Sequence, residues 1–173
     1  MKSKHTLHYH ATELETSVGS FLALFSDQGL VSLAFPTQGN PAIPQPESTG
    51  VLPPAVRRWR KITEAALAAL LKGKCPQEMP PFDISSGTEF QQAVWRAMAA
   101  IPVGQQRSYG QIAEAIGRPR AVRAVGQACG ANPIPVLIPC HRVLAAHGAI
   151  GGFSAGLEWK RLLLQREGLI LPL

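Results

Sequence analysis

One stretch with three prolines constrains the fold of this chain more than any other feature. It spans residues 132–143 and reads NPIPVLIPCHRV. Proline fixes its own φ and pushes the preceding residue into extended geometry, so we predict a stiff, extended segment rather than a helix or a mobile loop. The apolar run 136–138 favours burial, which places Cys140, His141 and Arg142 at the rim of a core.

Length and composition restrict the class of protein. The 173 residues, 46% of them hydrophobic, suffice for one domain or two small ones. Three cysteines without a C-x-x-C pair favour a reducing compartment over a disulfide framework. The N-terminus lacks the apolar core of a signal peptide, and no stretch is long enough to span a bilayer. We therefore expect a soluble, cytoplasmic protein with no membrane partner.

The basic residues are concentrated in the second half of the chain. Residues 82–173 carry nine Lys and Arg against five Asp and Glu. Four arginines but no acidic residue lie between Glu114 and Glu158. Such a surface can bind a polyanion, although a basic face kept for solubility would have the same composition.

The first half has the pattern of a small sheet covered by a helix. Alternating stretches at 6–10, 20–25 and 30–35 predict antiparallel strands, the last two joined by a hairpin turn. Apolar spacing over 56–71 predicts an amphipathic helix that packs on one face of this sheet.

Proline clusters divide the chain. Residues 36–54 contain six prolines and no periodic pattern, which predicts a long, semi-rigid connection. A second cluster at 76–81 marks a boundary near residue 82. We therefore expect two domains, 1–81 and 82–173, in an α+β protein.

Beyond this boundary the pattern is helical. Thr88 and Ser108 each stand three residues before a glutamine, the spacing of a capping box, and each predicts the start of a helix. A glycine-containing turn at 117–119 leads to a third helix over 120–130. Two short helices joined in this way, the second of them basic, are typical of a helix-turn-helix.

One face of the third helix combines long polar side chains with very small ones. Gly and Ala let a partner approach the backbone closely, while the arginines reach into it, so we interpret this face as a nucleic-acid surface. Its residues are Arg120, Arg123, Ala124, Gln127, Gly130 and Ala131.

Cys140 has the neighbours that a nucleophilic thiol requires. An unperturbed thiol is only slightly ionised at neutral pH, and His141 and Arg142 follow directly as a base and a cation. Glu167, on the apolar face and at the anion-disfavouring end of its helix, breaks two local rules and is a candidate to orient His141. A core cysteine with a chance neighbour, and a frayed helix end, remain alternatives. Zinc binding by Cys129, Cys140 and His141 lacks the usual short ligand spacing.

The sequence IPCHRV at 138–143, preceded by Asn132-Pro133 and by RAVG at 123–126, resembles the active-site signature of the O6-alkylguanine-DNA alkyltransferases. The likeness covers about residues 90–168, and the N-terminal part is similar only in its pattern of strands and helix. It implies a ribonuclease H-like N-terminal domain and an all-α, winged-helix-like C-terminal domain with a helix-turn-helix.

The resemblance implies direct DNA repair by a single-turnover methyltransferase. The protein would flip an alkylated guanine out of the duplex and transfer the alkyl group from O6 to its own cysteine, irreversibly and once per molecule. It would bind double-stranded DNA through the minor groove, as a monomer and with little sequence preference. No metal and no organic cofactor is implied.

Individual roles follow from the same resemblance. Cys140 would be the alkyl acceptor, His141 its base through a water, and Glu167 the group that orients His141. Asn132 would be a hinge that bonds near the active-site turn. Tyr109 would crowd the 3′ phosphate and donate a proton to the guanine leaving group.

Further positions are implied to contact the DNA or the base. Arg123 would enter the base stack in place of the flipped nucleotide. The base pocket would be lined by the backbone of Val143 and by Ser154, which reaches the O6 side, together with Arg142.

The sequence departs from the family pattern at two places. Ala155 stands where many relatives have glycine, which bears on loop flexibility and on the size of the tolerated alkyl group. Residues 129–131 are smaller and less basic than those common before the hinge asparagine, which bears on phosphate contacts. Some relatives bind a structural zinc in the N-terminal domain, but with Cys75 as the only cysteine of that half we expect none.

Two other functions are consistent with parts of the sequence. A helix-turn-helix transcription regulator with Cys140 as a sensor would bind a palindromic site as a dimer. A cysteine hydrolase using Cys140 and His141 would turn over many times. The acid-free stretch argues against a generic hydrolase, and the proline-rich segment against a simple regulator.

Overall fold

The structure, a computed structural model, describes residues 8–36 and 51–169 and confirms the α+β class. Strands β1 (His10–Thr16), β2 (Gly19–Phe25) and β3 (Leu30–Ala34) form an antiparallel sheet in that order. The second and third strands lie where the sequence predicts them.

The first strand lies later in the chain than predicted. We expected it at residues 6–10, of which 6 and 7 lie outside the described residues, whereas β1 begins only at His10. Leu14 is its one fully buried residue, so the alternation of apolar and polar side chains is weak. Pairing with β2 through the tight turn between Thr16 and Gly19 sets its position instead.

Helix α1 (Pro54–Leu70) has its predicted position to within two residues. Proline at its start is favourable because the first turn of a helix leaves backbone N–H groups unbonded in any case. Its apolar side chains join the buried core beside the sheet. Most of the proline-rich connection predicted before it, residues 37–50, lies outside the described residues.

Four further helices follow: α2 (Glu89–Ala99), α3 (Tyr109–Ala115), α4 (Val122–Gly130) and α5 (Leu157–Arg166). The indole Nε1 of Trp95 on α2 donates to the carbonyl of Ala128 on α4 at 2.8 Å. This bond and the apolar contacts around it fix α4 against the core, with its polar face directed outward. No helix in the described part of the chain is long and apolar enough to cross a membrane.

Both predicted capping boxes are present, at Thr88 and Ser108. The hydroxyl of Thr88 accepts a hydrogen bond from the Gln91 N–H at 3.2 Å, and the Gln91 side chain accepts one from the Thr88 N–H at 2.9 Å. We expect Thr88→Ala to lower the free energy of unfolding by about 1 kcal/mol because the first turn of α2 loses this cap. Urea unfolding measures the loss, and the exposed Ser17→Ala is the matched control. Equal midpoints for the two variants would contradict the prediction.

The C-terminal part contains a strand pair that the all-α expectation misses. β4 (Arg107–Ser108) and β5 (Val143–Leu144) pair in parallel, and each has only two residues. Strands this short leave no readable alternation in a sequence. Their pairing brings the residues that follow Cys140 next to the start of α3, where Tyr109 lies.

The prediction of an extended segment over 132–143 is wrong. The segment is buried and folded into turns: the N–H of Ile138 donates to the carbonyl of Ile134 at 2.8 Å, and Val136 has a φ of 73°. A short 3₁₀ helix, Cys140–Arg142, follows. The prolines exclude an α-helix, but they leave the residues between them free to turn, and burial of the apolar run together with bonds from Asn132 offsets the strain.

Candidate active site

The Asn132 side chain holds the turn that precedes Cys140. Its Nδ2 donates to the carbonyl of Ile138 at 2.7 Å, and its Oδ1 accepts from the N–H of Ile134 at 3.1 Å. The bond to Ile138 spans Val136, whose left-handed backbone is unfavourable for a β-branched residue. Asn132 therefore fixes the direction in which the chain enters the 3₁₀ helix that begins at Cys140.

Cys140 is 7% exposed and lines a cavity of about 480 Å³. Burial raises the pKa of its thiol, while a hydrogen bond with the Asn132 side chain and the charge of Lys160 act in the opposite direction. A cavity of this size accommodates a flat, nucleobase-sized ligand. Its other lining residues are Tyr109, Arg123, Gly126, Gln127, Cys129, Gly130, Gly152, Phe153 and Ser154.

His141 is buried and has one fixed and one free ring nitrogen. Its Nε2 lies 2.9 Å from Oε1 of Glu167. Because an ionised carboxylate only accepts hydrogen bonds, Nε2 carries the hydrogen and Nδ1 of the neutral ring is an acceptor. Among the described residues, the buried Nδ1 has no hydrogen-bond partner. Burial lowers the pKa of His141 against the raising effect of Glu167, which keeps the ring neutral and able to take up a proton.

Glu167 lies directly after α5, and its side chain is 1% exposed, so the interpretation as a frayed helix end is wrong. Besides His141, it accepts from Arg142 Nη2 and Nε, at 2.9 Å each, and from the N–H of Gly104 at 3.2 Å. Burial raises the pKa of Glu167, but the hydrogen bonds and charges of His141 and Arg142 outweigh it and bring the pKa to about 2. The buried guanidinium of Arg142 therefore offsets the unfavourable interaction between the Glu167 carboxylate and the C-terminal end of α5.

Arg142 does not line the cavity, which corrects its expected place in the base pocket. The guanidinium is 4% exposed, binds Glu167 and donates from Nη1 to the carbonyl of Ile101 at 2.6 Å. Its bonds to Glu167 and to the carbonyl of Ile101 hold the guanidinium away from the cavity that Cys140 lines. Val143 is also fully buried outside the cavity lining, whereas Ser154 does line it.

Lys160 is a buried cation that the sequence interpretation missed. It is 0% exposed, and its Nζ donates to the carbonyls of Val143 at 2.8 Å and Gly152 at 3.4 Å. No ion pair of Lys160 is found within the described ranges. Burial lowers the pKa of Lys160, and the thiols of Cys140 and Cys129 raise it. The sequence does contain an indication of this burial. Lys160 lies three and four residues before Leu163 and Leu164, so helical spacing places it on the same buried face of α5.

Three of the six predicted DNA-binding residues lie on the cavity side of α4. Arg123, Gln127 and Gly130 are exposed and also line the cavity. Arg120 is exposed in the turn before the helix, which begins at Val122 rather than at residue 120. Of the two remaining positions, Ala131 is exposed and follows the helix, and Ala124 is partly exposed.

Two other cavity residues bear on its chemistry. Tyr109, the first residue of α3, is half-buried, and burial raises the pKa of its phenol. Cys129, to which the sequence assigned no role, lines the same cavity with its Sγ 3.3 Å from Sδ of Met98. Burial raises the pKa of Cys129 to about 12, so this thiol is a poor nucleophile beside Cys140.

Comparison with known proteins decides the family. A family model described as 6-O-methylguanine DNA methyltransferase, DNA binding domain, matches residues 89–169. A relative from Methanosarcina acetivorans, named methylated-DNA–protein-cysteine methyltransferase, is 39% identical over 157 residues, which are 89% of this chain and 95% of that one. The chain belongs to the methylated-DNA–protein-cysteine methyltransferase family.

Other members of the methyltransferase family support this result. A relative of the same name from Mycobacterium bovis is 50% identical over 93 residues, which are 52% of this chain and 56% of that one. The crystal structure of Mycobacterium tuberculosis OGT in complex with DNA covers 92% of each chain, with 34% identity and a TM-score of 0.73. The O6-methylguanine-DNA methyltransferase from Pyrococcus kodakaraensis, at 24% identity and a TM-score of 0.59, shares the fold.

The match to the methyltransferase family model contains the residues that the structure brings together. Cys140, His141 and Glu167 all lie within residues 89–169. In the described part of the chain, no group of three or more His, Cys, Asp or Glu side chains is arranged to hold a metal ion. The structure places Cys140 at the cavity and His141 beside Glu167.

Proposed function

We propose that this protein repairs DNA by transferring an alkyl group from O6 of guanine to its own Cys140, irreversibly and once per molecule. One observation carries the proposal: Cys140 lines a nucleobase-sized cavity, and beside it Glu167 fixes Nε2 of His141 while the buried Nδ1 has no partner in the described part of the chain. Membership of the methyltransferase family supports the same reaction. A regulator that used Cys140 only as a sensor would have no need of this base.

The arrangement accounts for each proton and electron pair. The thiol proton of Cys140 passes through a water to Nδ1 of His141, and Glu167 stabilises the imidazolium that forms. The thiolate attacks the alkyl carbon, a carbon–sulfur bond forms, and the carbon–O6 bond breaks with its electron pair on guanine. Tyr109, whose phenol is protonated at neutral pH and whose pKa burial raises further, donates a proton to the guanine product. The phenolate regains a proton from the imidazolium of His141 through solvent, so that the thiol proton is in effect transferred to guanine. The resulting thioether resists hydrolysis, so each molecule reacts once.

The buried ammonium of Lys160 favours this chemistry. It is held by two carbonyls close to Cys140, and its charge lowers the pKa of the thiol. An ammonium buried without a carboxylate is unfavourable in the resting protein. Formation of the Cys140 thiolate supplies the missing negative charge, and we include Lys160 in the machinery for that reason.

We further propose that α4 lies in the minor groove of double-stranded DNA and that the target base leaves the duplex. Cys140 is only 7% exposed, so a stacked base cannot reach it. Arg123 lies on the exposed face at the mouth of the cavity, where it can occupy the space that the base vacates. Binding through one helix of small residues and a few arginines predicts little sequence preference.

Assembly and location are part of the same proposal. One chain supplies the acceptor thiol Cys140, the base His141 and the orienting carboxylate Glu167, so the proposed reaction needs no residue from a second copy and can be carried out by a monomer. The three cysteines are free thiols, which supports a reducing, cytoplasmic location because an oxidised Cys140 could not accept an alkyl group.

The glycine at the middle of α4 provides a test of close DNA approach. A Cβ atom added at Gly126 would meet no protein atom within 4 Å, so the packing of the protein does not require glycine there. We expect Gly126→Ala to raise the free energy of unfolding by about 0.5–1 kcal/mol, because glycine is unfavourable inside a helix. We expect it also to weaken duplex binding severalfold, because Gly126 lines the cavity that α4 would present to the DNA and an added methyl group would narrow this cavity.

Urea unfolding and fluorescence anisotropy with a fluorescent duplex measure the two effects. Gln165→Ala, an exposed position on α5, is the control and should leave duplex binding unchanged. Unchanged affinity in Gly126→Ala would contradict the proposed position of α4.

Mass spectrometry tests the reaction itself. The protein is mixed with excess duplex that carries one O6-methylguanine, and intact and peptide masses are measured. We expect a gain of one CH₂ on the Cys140 peptide, at most one per molecule, and none in Cys140→Ser. A protein that binds the duplex without this gain would refute the proposed function.

A further inference from the structure

Within residues 8–36 and 51–81, the N-terminal part contributes no residue to the cavity lining, yet it touches the site at three places. We propose that it acts as a positioning frame, in which Leu33, Phe35 and the turn 71–73 each fix one segment of the active site. This inference rests on the proposed function, and it also extends to part of the chain outside the match to the family model.

The first contact is made by the edge of the sheet. The N–H of Leu33 on β3 donates to the carbonyl of Pro133 at 2.9 Å. Pro133 follows Asn132, whose side chain holds the turn before Cys140. The active-site segment is thus attached to the edge strand of the sheet as well as to its own turn. Because a buried hydrogen bond is directional, it restricts the position of this segment more closely than apolar packing would.

The second contact supports the wall of the cavity. Phe35 follows β3 and is 7% exposed, and its ring centroid lies 5.9 Å from that of Phe153, edge to face. Phe153 lines the cavity beside Ser154. Phe35 also packs against Trp159 of α5 at 4.8 Å and Phe21 of β2 at 5.4 Å. An N-terminal aromatic residue therefore backs the wall that a flipped base would contact.

The third contact lies beside Glu167. Arg166 donates from its guanidinium to the carbonyl of Leu71 at the end of α1. Gly73 packs against the backbone of Arg166 so closely that an added Cβ would overlap the Arg166 carbonyl, and its φ of 68° independently favours glycine. Arg166 directly precedes Glu167, so the end of α1 determines where the carboxylate that orients His141 lies.

These contacts matter because the transfer needs accurate geometry. Attack on an alkyl carbon requires the thiolate, the base and the leaving group in line, and small displacements slow such reactions strongly. The segments that carry Asn132, Phe153 and Glu167 are far apart in the sequence, and one N-terminal unit contacts all three. A frame of this kind acts on the rate of transfer and leaves the DNA-binding face of α4 unchanged.

Three variants test the frame. Arg166→Gln removes the bond to Leu71, Gly73→Ala disturbs the same contact, and Phe35→Leu shortens the support behind Phe153. The controls are Arg161→Gln, exposed on α5, and Phe25→Leu, a fully buried phenylalanine of the same sheet. Each protein is measured for the single-turnover rate of methyl transfer from O6-methylguanine duplex, the duplex dissociation constant, the unfolding midpoint and the rate at which iodoacetamide modifies Cys140.

We expect Arg166→Gln and Phe35→Leu to slow methyl transfer about tenfold or more, while the duplex dissociation constant changes less than about twofold. Phe25→Leu should lower the unfolding midpoint as much as Phe35→Leu does and leave the rate within about twofold of the original. We also expect Arg166→Gln, but not Arg161→Gln, to slow iodoacetamide modification of Cys140, because His141 is no longer held in place. Should Gly73→Ala fail to fold, Arg166→Gln tests the same contact without a clash.

Two results would overturn the proposal. One is a transfer rate within about twofold of the original protein in both Arg166→Gln and Phe35→Leu. The other is an equal loss of rate in Phe25→Leu, which would mean that the contacts only stabilise the fold. If the original protein takes no methyl group from DNA, the proposed function fails. The rates at which iodoacetamide modifies Cys140 do not depend on DNA, and they then test the positioning frame by themselves.

Discussion

Replacing Glu167 by glutamine is expected to cost both stability and nearly all activity. Arg142 is 4% exposed, and the change leaves its buried charge without a counter-ion, which lowers the free energy of unfolding by about 3–5 kcal/mol. The amide can also present its N–H₂ group to His141 and so reverse the tautomer that the base requires. We therefore expect methyl transfer to slow on the order of 100-fold or more.

Urea unfolding and single-turnover transfer measure these two losses. Glu158→Gln removes an exposed carboxylate from the first turn of α5; it should lower the free energy of unfolding by less than about 1 kcal/mol and leave the transfer rate unchanged. A Glu167→Gln protein that transfers the methyl group at the original rate would show that His141 does not act as the base.

The lowered pKa of Glu167 predicts that the free energy of unfolding falls in acid. The pKa of Glu167 is lowered from an ordinary 4.5 to about 2 in the folded protein. The stabilisation it provides is therefore complete above pH 4.5 and is lost as the pH falls from 4.5 towards 2. Linkage gives a loss of about 3 kcal/mol over this window. Urea unfolding between pH 5 and pH 2 should show this loss, and Glu167→Gln should lack this component of the decline.

Lys160→Met is expected to separate activity from stability. The substitution relieves the burial of an unpaired ammonium but loses its bonds to two carbonyls, so the free energy of unfolding should change by less than about 1 kcal/mol. The Cys140 pKa should rise because the nearby positive charge is gone. Methyl transfer at neutral pH should slow about tenfold, and the rising part of its pH–rate profile should move to higher pH.

Single-turnover rates between pH 6 and pH 10 test this expectation. Lys61→Met removes one exposed ammonium from α1 and serves as the control, with an unchanged profile. A Lys160→Met protein that is slower by the same factor at every pH would mean that Lys160 acts only through the backbone of Val143 and Gly152.

Local patterns in the sequence determined most of the elements. Both capping boxes, at Thr88 and Ser108, and the amphipathic helix now observed as α1 were predictable because caps and apolar periodicity depend on residues three or four positions apart. The candidates Cys140, His141 and Glu167 were also identified from the sequence, through the chemistry of a thiol beside a base and a glutamate that violates two helix preferences. The structure places the last two 2.9 Å apart.

Tertiary structure alone decided how these residues face one another. The turn at Val136 and the 3₁₀ helix at Cys140 depend on bonds from the Asn132 side chain, and no local rule for proline contains them. The position of Arg142 behind Glu167 rather than in the base pocket follows from its bonds to Glu167 and to the carbonyl of Ile101, both distant in the sequence. The burial of Lys160 depends on carbonyls eight and seventeen residues away in the chain. The residue types and their spacing in the sequence determine which chemistry is available. Long-range packing determines which of these groups share one cavity, because neighbouring residues do not encode distances between remote parts of the chain.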